Sequence, residues 1–136
     1  MSEAFYAKQE FDEDISCWDT SKVATFFNTG SNFGMFEQTG SFNQPIGCWD
    51  VGSATDMRYM FYGALGFNQD LSNWNVAKVT DMTDMFNGAK RFNQSLSKWD
   101  PDLGRGRCAG FAGNGAPCGP SCGLPQPLFE ICSGGS

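Results

Sequence analysis

A 25-residue internal repeat is the feature that most constrains the fold of this chain. The stretches 42–66, 67–91 and 92–103 all begin with Phe-Asn-Gln, and each carries a tryptophan seven positions after the Phe. A divergent copy at 11–41 precedes them, with six extra residues between Phe26 and Met35. A repeat this short cannot bury its own apolar side chains, so successive copies must stack on one another. The sequence therefore predicts a solenoid with one continuous core.

Within one copy, the spacing of the apolar residues changes along the chain. At the start of 67–91 the residues alternate, with Phe67 and Leu71 on one face, as in a short strand. From Val79 onward apolar residues recur about every third position, which is typical of a helical or 3-10 segment. One short strand and one helical or 3-10 segment per coil is the leucine-rich-repeat plan, and it predicts the α/β class.

The repeat units resemble those of the BspA-like leucine-rich-repeat surface proteins, whose repeat reads close to FNQDLSNWDVSNVTDMSxMFxGAxx. The resemblance covers about 11–103 and is strongest in the copies 42–66 and 67–91. It implies a short right-handed leucine-rich-repeat-like solenoid with parallel strands. Such repeats occur mostly in exported or surface proteins concerned with attachment. The chain departs from the family pattern in its few copies, the insertion in the first copy and a Cys-rich C-terminal segment.

Three segments are expected along the chain. They are an N-terminal lead-in at 1–10, a repeat solenoid at 11–103 (copies 11–41, 42–66, 67–91 and 92–103) and a Gly/Pro/Cys-rich C-terminal cap at 104–136. The cap is expected to be irregular because glycine and proline disfavour long helices and central strands. Its four cysteines predict two disulfides among themselves, and a zinc site is the alternative. These four cysteines are Cys108, Cys118, Cys122 and Cys132.

Two further cysteines occupy equivalent positions in adjacent copies. Cys17 directly precedes Trp18, and Cys48 directly precedes Trp49. Neighbouring strands lie about 4.8 Å apart, which falls within the Cα separation that a disulfide allows. The spacing predicts a Cys17–Cys48 disulfide, and two free thiols in a reducing compartment are the alternative. This pair and the even cysteine count favour an oxidising, non-cytosolic location: extracellular, cell surface or organelle lumen.

Equivalent residues of stacked copies form columns that run along the array. The predicted core columns consist of Trp18, Trp49, Trp74 and Trp99, and of Ile15, Ile46, Leu71 and Leu96. An aromatic column could instead be a sugar-binding platform, but its period matches that of the other apolar columns, which favours core packing. The Asn and Gln residues of Phe-Asn-Gln also form columns, whose stacked amides are expected to hydrogen-bond along the array and fix its register.

The outward row of each predicted strand is the alternative, functional interpretation of the polar residues, because leucine-rich repeats commonly bind partners on that face. The insertion at 27–34 adds a second candidate surface. The candidate partner-binding residues are Asn43, Asn68, Asp70, Ser72, Asn93 and Ser95 on the strand face, and Phe33 in the insertion.

Composition narrows the function classes. The net charge of −6 and the pI near 4.4 argue against nucleic acid or an anionic membrane surface as the partner. The chain has no histidine, the commonest general base and metal ligand, and no catalytic motif stands out. No apolar run is long enough to span a bilayer. We expect no catalytic residues, no cofactor and no metal, although calcium at the Asp residues beside the tryptophans (Asp19, Asp50 and Asp100) is an alternative.

These observations predict a non-enzymatic protein–protein interaction solenoid, exported or lumenal, that binds a partner protein through its strand face and the 27–34 insertion. One alternative is a structural accessory subunit docked on the non-cytosolic side of a larger membrane-associated complex. A carbohydrate-binding or surface adhesion module is a further alternative.

Overall fold

A computed structural model describes residues 4–94, 96, 98 and 99. Ser95, the predicted C-terminal cap and the pairing predicted within it lie outside the described residues. The cysteines concerned are Cys108, Cys118, Cys122 and Cys132.

The described residues contain very little regular secondary structure. Strand β1 (Phe27–Asn28) pairs antiparallel with strand β2 (Phe33–Gly34) to form a two-stranded hairpin. One 3-10 helix spans Ile46–Cys48. No α-helix and no repeated parallel strand occurs in this part of the chain, where turns predominate. The predicted α/β class is therefore wrong. The described residues do not form a right-handed leucine-rich-repeat-like solenoid with a strand and a helical segment in each coil.

Consecutive turns take the place of the predicted helical segments. The Met60 N–H donates to the Met57 carbonyl at 3.3 Å, and two residues later the Tyr62 N–H donates to the Tyr59 carbonyl at 3.0 Å. Tyr59 has a φ of 55° and Gly63 a φ of 65°. This left-handed conformation does not continue a right-handed helix. Apolar residues three positions apart thus reflect successive turns, which share that spacing with a helix.

The N–H groups that the turns leave free bind the next repeat unit. Met57 donates to the Asp81 carbonyl at 2.9 Å, and Tyr59 donates to the Thr83 carbonyl, also at 2.9 Å. Isolated parallel bridges join Thr25 to Asp56 and Asp56 to Asp81. The units therefore stack with equivalent residues side by side, although the parallel pairing is confined to single bridges.

Columns of stacked phenylalanine rings fill the core. In one column Phe42 lies 5.9 Å from Phe67, which lies 5.8 Å from Phe92, with the rings nearly parallel. A second column contains Phe36, Phe61 and Phe86. The two columns interdigitate, because the Phe61 and Phe67 ring centroids are only 4.1 Å apart. The two columns together form one core that continues from unit to unit through the described residues, as the period predicts.

Three of the four predicted core tryptophans are buried. Trp49, Trp74 and Trp99 are each less than 5 % exposed, whereas Trp18 is 41 % exposed. The predicted column of Ile15, Ile46, Leu71 and Leu96 is buried throughout. The assignment of Trp18 to the core is therefore wrong.

The exposure of Trp18 follows from how the other tryptophans are held. The Trp49 indole N–H donates to the Ile15 carbonyl at 3.0 Å, and the Trp74 indole donates to the Ile46 carbonyl at 3.0 Å. Each of these tryptophans is thus bound to the preceding unit. The described residues contain no equivalent carbonyl ahead of Trp18, so its indole stays at the edge of the stack.

The lead-in packs as part of the stack. The Phe5 ring is nearly parallel to Phe36 at 5.5 Å, which places Phe5 in the second phenylalanine column. The Ala7 N–H donates to the Glu37 carbonyl at 2.9 Å, just as later units bind their successors. Residues 4–10 therefore form the closing turns of one further unit.

The predicted Cys17–Cys48 disulfide is absent from the structure. Both cysteines are exposed free thiols. The Cys48 thiol points to the Pro45 carbonyl of its own turn at 3.8 Å, and the Cys17 sulfur lies 4.0 Å from the Ser16 hydroxyl. Equivalent positions in adjacent units therefore do not bring these two sulfur atoms together, since each side chain is directed by its own local turn.

Candidate partner-binding surfaces

The asparagines predicted as partner-binding residues form a continuous hydrogen-bonded ladder. The Asn43 side-chain oxygen accepts the Asn68 N–H at 2.9 Å and the Gln69 amide at 3.0 Å. The Asn68 oxygen accepts the Asn93 N–H at 2.9 Å and the Gln94 amide at 3.0 Å. The predicted hydrogen bonding of these columns along the array is confirmed. Most of the hydrogen bonds that these side chains form are with neighbouring units.

The ladder begins one unit earlier than the Asn pattern indicates. The Asp12 carboxylate accepts the Asn43 N–H at 2.9 Å and the Gln44 amide at 2.8 Å, as an asparagine does in the later units. Sequence reasoning missed Asp12 because it looked for an amide. Aligning the divergent copy on its Phe and Trp residues would have placed Asp12 in the Asn column.

Asp70 and Ser72 stabilise their own turn. The Asp70 carboxylate accepts the Ser72 N–H at 2.9 Å. This bond and a second one from the Ser72 hydroxyl lower the pKa of Asp70. Asp70 is exposed and Ser72 is half-buried. Both residues lie on the surface, but their polar atoms already serve a local turn.

A shallow groove runs beside the beginning of the ladder. Its volume is about 470 Å³. An exposed apolar residue, Leu65, lies within it, and side chains of opposite charge, Asp12 and Arg91, also line it. The complete lining consists of Asp12, Gly40, Ser41, Asn43, Leu65, Gly66 and Arg91. Of the predicted site residues that the structure describes, Asn43 alone lines this groove.

The insertion forms the β1–β2 hairpin. Its turn is closed by the Asn28 side chain, which accepts the Gly30 N–H at 2.8 Å. Asn32 has a φ of 67°, which Asn tolerates better than most residues. Gly34 packs so closely on the Tyr59 carbonyl that a Cβ atom there would overlap it. The hairpin is thus fixed to the next unit by backbone contact.

Aromatic contacts hold the hairpin on both of its faces. Phe33 stacks on Tyr6 with a ring centroid distance of 3.8 Å and an interplanar angle of 19°. Phe27 is buried, lies 5.8 Å from Tyr59 and carries the Arg58 guanidinium 4.1 Å above its ring centre. Such a guanidinium–ring contact is attractive. The insertion is therefore a packed structural element of the protein.

Around the hairpin several aromatic and basic side chains stay half-exposed. This set, called here the hairpin patch, consists of Tyr6, Phe33, Arg58, Tyr59 and Tyr62. The Arg58 guanidinium forms an ion pair with Asp56 at 2.7 Å, and Asp81 lies 3.6 Å from it. These contacts fix the direction of the Arg58 guanidinium, and they raise the pKa of Arg58.

Two acidic groups lie close beneath the patch. Glu37 is only 6 % exposed, and its carboxylate accepts the Gly34 N–H at 2.9 Å. Burial raises the pKa of Glu37 because the charged form loses hydration. Burial also raises the pKa of Tyr59, and the nearby Asp84 and Glu37 charges add to this effect. The Tyr59 phenol is therefore a hydrogen-bond donor at neutral pH.

The described residues contain no group of three or more His, Cys, Asp or Glu side chains that could hold a metal ion. They also contain no helix long and apolar enough to cross a membrane. The hairpin patch presents aromatic rings, phenol hydroxyls and a guanidinium. These groups can stack, donate hydrogen bonds and form ion pairs.

A family model described as "Mycoplasma protein of unknown function, DUF285" matches residues 1–103. No curated protein and no solved structure matches the chain. The DUF285 repeat occurs in BspA-like surface proteins, so the match supports the resemblance to that group. It gives no direct support to a leucine-rich repeat. The matched region includes 1–10, consistent with the packing of the lead-in on the first full unit.

Proposed function

We propose, from the premise that the chain belongs to the DUF285 family, that it is a non-enzymatic protein-binding module of an exported or surface-located protein. The partner is a protein outside the cytosol. It binds the hairpin patch, and the hydrogen-bonded ladder serves to hold the units in register.

The observation that carries this proposal is the composition of the hairpin patch. Tyrosine, phenylalanine and arginine are among the residue types enriched in protein interfaces, and tyrosine and arginine are common among the residues that dominate binding energy. Phe33 is held in place by its stack on Tyr6, and Arg58 by its ion pair with Asp56. Side chains held in this way lose little conformational freedom on binding, which favours affinity.

The ladder is the weaker candidate surface because its acceptors are already used. A partner that competed for the Asn43 or Asn68 oxygen would have to break two hydrogen bonds in each case. Breaking them would leave N–H groups unpaired at a unit boundary, which is unfavourable. A partner is therefore expected to pack across the ladder at most, and to gain its specificity at the insertion.

Paired serine substitutions test the proposal. Phe33→Ser removes a half-exposed apolar side chain from the hairpin patch, and Leu65→Ser removes a more exposed one from the groove. The immobilised wild-type chain is used to isolate a ligand from surface-protein extracts. The ligand is then purified, and its affinity for each variant is measured by biolayer interferometry. We expect Phe33→Ser to weaken binding at least about tenfold, the effect of losing one well-packed interface residue, and Leu65→Ser to leave it unchanged.

The reverse ranking would move the binding surface to the groove. Equal binding by wild type and both variants would overturn the assignment. Circular dichroism of each variant must first match the wild type, because Phe33 also packs on Tyr6. A Tyr62→Ser variant gives a second test within the patch, since its aromatic contact is with Tyr59 at 5.7 Å and not with the Phe33–Tyr6 stack.

A further inference from the structure

Every junction between complete units uses the same directional set of hydrogen bonds. Where 67–91 meets 42–66, the Asn68 N–H and the Gln69 side-chain amide donate to Asn43, and the Trp74 indole donates to the Ile46 carbonyl. In these bonds, which join the segments from Phe to Trp, the later unit supplies the donors and the earlier unit the acceptors, whereas the closing turns donate in the opposite direction, as Met57 does to Asp81. The Phe-to-Trp segment of each complete unit therefore has a donor edge and an acceptor edge.

The last described unit, which begins at Phe92, ends in an acceptor edge. The Asn93 side chain is exposed, and its oxygen accepts no hydrogen bond within the described part of the chain. In the same part of the chain, the Leu96 carbonyl accepts the Trp99 N–H at 2.9 Å and no other described donor. In the preceding unit the corresponding Leu71 carbonyl accepts an indole N–H as well, also at 2.9 Å. Among the described residues, no following unit uses these acceptors.

The first full unit, which begins at Phe11, presents a donor edge with one altered group. The Asp12 backbone N–H and the Trp18 indole N–H have no acceptor among the described residues, and Trp18 is 41 % exposed. These are the groups that donate in later units. The third donor is missing, because Glu13 occupies the column that holds Gln44, Gln69 and Gln94. A glutamate carboxylate accepts hydrogen bonds and cannot donate them.

We propose that Glu13 is the mismatched group between the described parts of two otherwise complementary edges, and that it prevents a second copy of this chain from stacking its acceptor edge on the first unit. In such a stack the Glu13 carboxylate would face the Asn93 carbonyl and amide oxygens. A desolvated charge opposed by two acceptors is strongly unfavourable. Inward-pointing charges at exposed edges are a common means of preventing edge-to-edge association.

Asp12 does not contribute to this block. Its carboxylate is directed toward the following unit, where it accepts from Asn43 and Gln44, and its backbone N–H is the group left at the outer edge. A carboxylate is thus compatible with stacking at position 12 and incompatible at position 13. One substitution, Glu13→Gln, should restore the full donor set.

Sedimentation velocity of the whole 136-residue chain tests the proposal. Glu13→Gln is compared with wild type and with Glu10→Gln over a rising concentration series at neutral pH. Glu10 is an exposed acid outside the ladder, so its substitution gives the same change in net charge. Stacking of the donor edge on the acceptor edge does not close on itself and gives an open series of oligomers. We expect such a series for Glu13→Gln, with self-association at least about tenfold tighter than in the other two proteins.

A second substitution checks that the new contact uses the predicted acceptor. Asn93→Ala, added to Glu13→Gln, removes the amide oxygen that would receive the new glutamine. It should return the protein to wild-type behaviour, and Asn93→Ala alone should leave sedimentation unchanged. The proposal is overturned if Glu13→Gln sediments as wild type does, if Glu10→Gln associates equally, or if the double variant still associates. The Phe33→Ser substitution should not affect this association, so the outcome is separate from that of the proposed partner surface.

Discussion

Removal of one ladder oxygen gives a direct measure of how much the ladder stabilises the stack. Asn68→Ala removes an oxygen that accepts two bonds from the next unit, from the Asn93 N–H at 2.9 Å and the Gln94 amide at 3.0 Å. A typical hydrogen bond contributes about 0.5–1.5 kcal/mol net. Because Asn68 is half-exposed, water can replace part of what is lost. We expect Asn68→Ala to lower the free energy of unfolding by about 1–2 kcal/mol.

Two further variants separate the ladder from general effects of substitution. Asn93→Ala makes the same change at a side chain whose oxygen accepts no bond in the described part of the chain, so it should cost less than about 0.5 kcal/mol. Asn68→Asp keeps the acceptor. Asp12 already accepts the equivalent bonds at 2.9 and 2.8 Å. We therefore expect Asn68→Asp to retain most of the wild-type stability.

Urea denaturation followed by tryptophan fluorescence measures these differences. The reasoning is wrong if Asn68→Ala and Asn93→Ala destabilise equally, since the two bonds would then contribute nothing measurable. It is also wrong if Asn68→Asp loses as much as Asn68→Ala. The lost acceptor would then not be the cause of the destabilisation.

Two more predictions concern other parts of the stack. Trp74→Phe removes a buried indole N–H that donates to the Ile46 carbonyl at 3.0 Å, and it leaves unfilled volume in the core. Thermal unfolding should therefore show a decrease of about 2 kcal/mol in the free energy of unfolding. The same change at the exposed Trp18 should cost less than about 0.5 kcal/mol, and equal losses would contradict the role of the interunit bond. Glu37→Gln keeps an acceptor for the Gly34 N–H and removes a buried charge. Burial raises the Glu37 pKa above its ordinary value of 4.5. The wild type should therefore lose stability relative to this variant as the pH rises from 4.5 through the raised pKa. Urea titrations at a series of pH values that show no such trend would refute the assignment.

The core could be predicted closely because the period alone identifies equivalent residues. Phe42, Phe67 and Phe92 fall into one column whatever secondary structure connects them, and the structure stacks them at 5.9 and 5.8 Å. The same reasoning predicted the ladder of Asn43 and Asn68. It was wrong for Trp18, since position in the array, and not residue type, decides whether a preceding unit covers a side chain.

The local backbone was harder to predict, because one apolar spacing suits two structures. Residues three apart line one side of a 3-10 segment, and they also recur in a series of turns. The positive φ of Gly63 and Gly88 decides for turns, and glycine alone signals this possibility in the sequence. Tyr59 and Asp84 adopt positive φ as well, with no such signal. Their conformation depends on bonds such as that from the Tyr59 N–H to Thr83, which sequence spacing does not show.

The stacking that makes the core predictable also restricts where a specific surface can form. Equivalent units present equivalent groups, and junctions between units commit those groups to each other, as Asn68 is committed to Asn93 and Gln94. A partner contacting the array alone would meet nearly the same chemistry in every unit. The β1–β2 hairpin breaks that equivalence once, by placing Phe33 on Tyr6 in one unit only. The proposed specificity for a single partner therefore depends on the insertion, because the hairpin supplies a surface that the repeated turns do not.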